Sequence, residues 1–155
     1  MATIASAATG WQSICKQPDQ PLTYGRLVEG AAGFAAQLAA AGVAQAQVVV
    51  IILPHGELLV DAFWGAALHG AIPSFLPPLT EKLSPDKYRR DLAALIGVTH
   101  PGAIVTYPEF EAEVRQAVVA SGRDVAVLVV REPVYAQPDF RALGGARARM
   151  DDIAL

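Results

Sequence analysis

Cysteine is almost absent from this chain. Cys15 is its one thiol in 155 residues, so no internal disulfide and no multi-cysteine metal site can form. That composition suits a reducing compartment, and a cytoplasmic location is the expectation. Charge is also scarce. Charged residues make up 17% of the chain, against about 25% in ordinary globular chains. The net charge of −3 gives no basic footprint, so nucleic acid is not an expected partner. Long hydrophobic runs are missing too: the longest strongly apolar stretch, Val48 to Pro54, is far too short to cross a bilayer. The opening MATIASAATG has no positive region followed by an apolar run, so no signal peptide is expected.

Several chemical motifs are lacking as well. A phosphate-binding loop needs G-x-x-x-x-G-K-[ST]; the nearest spacings, Gly65 to Gly70 and Gly97 to Gly102, are each followed by alanine. No G-x-G-x-x-G follows a strand pattern, and there is no G-x-S-x-G nucleophile elbow. His55-Gly56-Glu57 has the H-x-E spacing of zinc deaminases, but their C-x-x-C partner is impossible with one cysteine. No metal-ligand set is expected, and no carboxylate pair can be placed as general acid and base.

Apolar residues are plentiful instead, at 53% against roughly 45–50% in ordinary chains. Either the core is large or some apolar surface meets another segment, which gives an expectation of self-association. Thr23 reads as the cap of a helix to about Ala41, with Leu27, Ala31, Phe34, Ala35 and Leu38 on one face and Gly42 just past its end. Val48 to Leu53 is β-branched without alternation, the character of a central parallel strand buried on both faces. Pro54, His55 and Gly56 turn into a helix over Glu57–His69, whose Glu57, Asp61 and His69 predict a narrow wet stripe.

AIPSFL reads as a short strand, followed by the Pro77–Pro78 loop and a helix that starts with Ser84 as cap and Pro85 at its first position. Tyr88, Leu92, Leu95 and Ile96 supply its buried face. Gly102 to Tyr107 is a strand. Phe110, Val114, Ala117 and Val118 line the next helix, with Glu111 paired to Arg115, and Asp124 to Val130 is another buried strand. This alternation predicts an α/β fold, a mostly parallel sheet with helices on both faces. The organisation is a lead-in over 1–20, an α/β subdomain over 21–130, and an irregular tail over 131–155 that ends in the start of a strand.

His55 is the candidate binding residue, because it follows the C-terminal end of a buried strand, the edge where open α/β sheets bind ligands. The plainer reading is a turn residue with local contacts. His69 and His100 are expected at the surface. Lys87, Arg89 and Arg90, and likewise Glu109, Glu111 and Glu113, read as solvated helix faces.

Taken in order, these segments resemble a known family. LTYGRLVEGAAGFAAQLAAAGV is similar to the opening of the adenylate-forming superfamily: acyl-CoA synthetases, fatty acyl-AMP ligases and adenylation domains. VVVIILPHGELLVDAFWGAALHGAIPSFLPP and GAIVTYPEFEAEV resemble the family's next segments, so the likeness runs from about Pro21 to Val130. Asp151 to Leu155 is similar to the strand that enters the family's phosphate loop. The resemblance implies an N-terminal subdomain, a fragment of an ATP-dependent ligase that forms an acyl-adenylate from a carboxylic, and by the double proline a fatty, acid.

The implied cofactors of the full-length enzyme are ATP and Mg. Its implied partners are the remainder of the enzyme and CoA or an acyl carrier protein. No catalytic residue carries over, and the chain alone is expected to be inactive. The alternative is a non-catalytic docking module built on the same fold.

Overall fold

A computed structural model describes residues 22–79, 84–139 and 141. Cys15, the lead-in over 1–20 and the strand expected from Asp151 lie outside the described residues. The first helix, α1 (Tyr24–Ala40), starts where the Thr23 side chain accepts a hydrogen bond from the Arg26 amide at 3.2 Å. That bond satisfies one of the donors a helix start leaves open. The helix stops at Ala41, with Gly42 at φ 75°.

Then come β1 (Val48–Ile51), α2 (Glu57–His69), β2 (Ile72–Phe75), α3 (Pro85–Thr99) and β3 (Ala103–Thr106). A 3-10 turn at Pro108–Phe110 leads into α4 (Glu111–Ser121) and β4 (Ala126–Val129). Pro85 opens α3 as expected, although the Ser84 side chain makes no capping bond. All three strand pairings are parallel, in the order β2-β1-β3-β4.

The unalternating apolar run does what its pattern demands. Val49 and Ile51 point into one layer with Phe34, Leu38, Ala62 and Ala66 of α1 and α2. Val50 and Ile52 point into the other with Leu92, Ile96 and Val114 of α3 and α4. Val49 and Ile51 are both 0% exposed, so β1 is covered on both faces. Each such side chain contributes roughly 1.5–3 kcal/mol by leaving water.

One expectation holds only in part at the other end of the sheet, where Val125 and Val130 are buried. Asp124 to Val130 was expected to form a buried strand, yet all four residues of β4 are only half-buried. Among the described residues β4 has a neighbour on one side alone, and an edge strand keeps part of each side chain in water. β2 is the opposite edge, and Pro73 removes a ladder donor from it.

After β4 the chain returns over α1 as an extended strap. The Ala136 amide donates to the Glu29 carbonyl at 3.0 Å, and Gln137 Nε2 donates to Glu29 Oε1 at 3.3 Å. The strap sits directly on Gly33: a Cβ there would lie 1.7 Å from the Val134 carbonyl oxygen. Only the absence of a side chain lets backbone meet helix at that point. Gly33→Ala should therefore cost roughly 3 kcal/mol through overpacking. Gly25→Ala, on the same helix with nothing within 4 Å, should be neutral or gain up to about 1 kcal/mol from helix propensity. Urea unfolding of the two variants gives the comparison, and equal stabilities would contradict the strap's position.

Candidate functional site

The strand order places the site. From β1 the chain moves outward to β2, then returns across β1 to β3 on the other side. Winding therefore reverses between β1 and β3, and open parallel sheets bind ligands at the carboxyl ends of the strands beside that reversal. His55 follows β1 at this edge and is exposed; Thr106 ends β3, and Tyr107 follows it. Among the described residues the His55 ring has no side-chain hydrogen bond. Thr106 is fully buried, and its Oγ1 has no partner among the described residues. Burial, and next the Glu109 charge, raise the Tyr107 phenol above its ordinary value. Its ring stacks on Phe110 at 5.8 Å between centroids.

A polar cluster stands two residues past His55, where α2 begins. Arg26 Nε donates to Glu57 Oε1 at 2.7 Å, and Arg26 Nη2 donates to the Tyr135 hydroxyl at 2.6 Å. That hydroxyl donates in turn to Glu57 Oε1 at 2.8 Å. The Arg26 guanidinium carbon also lies 4.7 Å from the centre of the Tyr135 ring. The Arg26 hydrogen bond, then that of Tyr135, holds the Glu57 carboxyl below its usual value. Sequence reasoning missed Arg26 and Tyr135 as partners. They are 109 positions apart, and no periodicity links residues across such a distance.

Asp61 corrects an expectation. Glu57, Asp61 and His69 are expected as one wet stripe, yet Asp61 is 2% exposed, and neither of its oxygens has a hydrogen-bond partner among the described residues. It faces Gly30 of α1, where a Cβ would come within 2.5 Å of its carboxyl carbon and both oxygens. Removal from water is the main cause that pushes Asp61 up to about 6, reinforced by the Glu57 charge and opposed by Arg26. The expected stripe holds only for Glu57, because α1 packs over the middle of α2.

His69 is half-buried rather than at the surface, with Nε2 2.7 Å from the Val43 carbonyl oxygen. His100 is exposed at the end of α3. The basic cluster is a solvated face: Lys87 pairs with Asp91 at 2.5 Å, and Arg89 pairs with Asp86 and, at 3.3 Å, with Glu113. Glu111 pairs with Arg115 at 2.7 Å as expected.

Among the described residues no three His, Cys, Asp or Glu groups converge to hold a metal ion. No helix among them is long and apolar enough to cross a membrane. The sequence has no phosphate loop. No described residue is placed against ATP or Mg, and no chemical step through that group is derived from this chain.

Comparison with known proteins gives the class. No family model matches the chain. It is 29% identical over 151 residues to sulfoacetate–CoA ligase of Cupriavidus necator, a match that covers 91% of this chain and 27% of that enzyme. Its fold superposes on a benzoate CoA ligase from Burkholderia xenovorans with TM-score 0.58 and 25% identity, covering 71% of this chain and 21% of that one. It also shares the fold of the fatty acyl-adenylate ligases of E. coli and L. pneumophila, with TM-score 0.66 and 22% identity over 86% of this chain and 22% of theirs. The resemblance read from the sequence holds: the likeness is to adenylate-forming ligases, over their N-terminal portion. The chain spans about a quarter of the length of the curated relative it matches.

The burial of Asp61 gives a pH dependence. Its folded value lies above the unfolded 3.8, so the folded state holds the proton more tightly. The stability this contributes is complete below the unfolded value and is lost as pH rises through about 6. The full span corresponds to roughly 3 kcal/mol. Glu57 has the opposite sign, since its lowered value gives stability that is lost as pH falls. Thermal melts from acid to neutral pH should show wild type losing stability across the Asp61 range and Asp61→Asn losing none there. Parallel curves would contradict the buried acid.

Proposed function

We propose that this chain is the N-terminal α/β portion of an ATP-dependent ligase. The whole enzyme joins a carboxylic acid to the AMP portion of ATP with release of pyrophosphate, then passes the acyl group to a thiol of CoA or a carrier protein with release of AMP. The observation that carries this reading is the match to an acid–CoA ligase over 91% of the chain, on the same fold as a benzoate CoA ligase. A fatty acid is the substrate class supported by the resemblance over Ala71 to Pro78. The acids in the two relatives' names, sulfoacetate and benzoate, set the competing classes.

In this reading His55 contacts the substrate, supported by its exposure at the β1/β3 reversal and by the preference of ligands for that place. An exposed aromatic patch supports a further partner, the remainder of the ligase. Phe63 stacks on Phe75 at 5.2 Å and meets Trp64 edge-on at 5.4 Å. Phe75 is 52% and Trp64 48% exposed.

Adenylate formation needs donors and cations aimed at phosphates as charge develops, and needs both reactants held in attack geometry. This chain has no loop of the first kind, so it should be inactive by itself. Pyrophosphate exchange into ATP, with fatty, aryl and sulfonated acids, should therefore be absent from the 155-residue chain and present in a longer product of its reading frame. Exchange by the short chain would overturn the fragment reading; silence from both would favour a docking module. In an active longer product, His55→Ala should raise KM for the acid several-fold more than it lowers kcat. Unchanged kinetics would remove His55 from the site.

A further inference from the structure

Asp61 has a place in the fold that the ligase reading does not use. Its carboxyl is buried, without a hydrogen-bond partner among the described residues, and pressed against Gly30 of α1. The same stretch of α1 is held by the strap, through the Glu29 carbonyl to the Ala136 amide and through Gly33 to the Val134 carbonyl. One stretch of helix, from Glu29 to Gly33, thus meets both a buried acid and the extended strap.

The charges around Asp61 can be named element by element. On its own helix Glu57 stands one turn earlier. From α1 come Arg26, and Glu29, whose side chain is bonded to Gln137 of the strap. From the strap comes Tyr135, bonded to both Arg26 and Glu57. The apolar layer that α1 and α2 share with the sheet includes Val49, Ile51, Ala103 and Val105. Arg26 is therefore the one cation facing the acid among the described residues, and it is already engaged by Glu57 and Tyr135.

We propose that Asp61 is a proton-binding site that governs the strap. As a neutral acid it leaves Arg26 to Glu57 and Tyr135; on ionising it competes for that guanidinium and loosens the strap from α1. The physical cause is that a buried carboxylate needs a counter-charge or water, and either one has to come from the Arg26 side. The neutral acid needs neither and packs against Gly30 as it stands. Burial favours this neutral form well into the acid range, with a folded value of about 6. The inference does not depend on the ligase reading, since it concerns contacts within this chain alone.

Two measurements on the isotope-labelled 155-residue chain test it. Carboxyl-carbon NMR should show Asp61 titrating near pH 6. Amide exchange should show protection at Ala136 falling roughly tenfold across that titration relative to Val130, which donates to the Thr106 carbonyl beside the edge strand β4 and opens locally; tenfold is the effect of about one unit of coupling. Asp61→Asn should keep the ratio constant. A carboxyl that titrates at the ordinary aspartate value would overturn the proposal, and so would an Ala136-to-Val130 ratio that stays level in wild type. A fall of equal size in Asp61→Asn would overturn it as well. The carbon titration needs no variant, so a poorly folded Asp61→Asn still leaves a decisive result.

Discussion

Burial of β1 on both faces is the constraint from which the rest of this structure follows. A strand that reads Val-Val-Val-Ile-Ile-Leu cannot keep either side in water, so helices must cover the sheet above and below. Val49 and Ile51 require the α1/α2 layer, and Val50 and Ile52 require the α3/α4 layer. Parallel pairing on each side of β1 then obliges the chain to cross over between strands. The return from β2 across β1 to β3 creates the reversal that defines the candidate site. His55, Thr106 and Tyr107 stand at that edge because β1 and β3 end there.

The α1/α2 layer adds a second demand. Two helices and an extended strap share one small volume, and glycines at 30 and 33 make room where a methyl group would collide. The close fit has an electrostatic consequence: it seals Asp61 away from water beside a cluster whose single cation is already committed. Arg26, Glu57 and Tyr135 join α1, α2 and the strap at the same sheet edge that carries His55. Packing and charge in this layer are therefore coupled, and a change at one helix reaches the strap through contacts that can be named.

Much of the fold was legible because its elements carry strong local patterns. The Thr23 cap, the Glu57–His69 helix and Pro85 at the start of α3 all fall where spacing and capping chemistry put them. The half-burial of β4 was not legible, since an apolar run does not say whether a strand has one neighbour or two. Asp61 was misread for a related reason: its i, i+4 relation to Glu57 describes α2 alone, and only tertiary packing shows that α1 lies over it. The strap left no periodic trace, so its bonds to Arg26, Glu29 and Glu57 emerge from the structure only. His55 could be singled out from sequence because a turn after a buried strand is a local feature.

Native-state amide exchange across the four strands tests the doubly covered sheet most directly. Amides in β1 and β3 should exchange only through global unfolding, and those of β4 should exchange by local opening at a much lower free energy. Slow exchange confined to β1 and β3 is the predicted result. Equal protection of β4, or fast exchange at Val50 and Ile51, would contradict the placement of β1 at the buried centre and, with it, the site at the β1/β3 reversal.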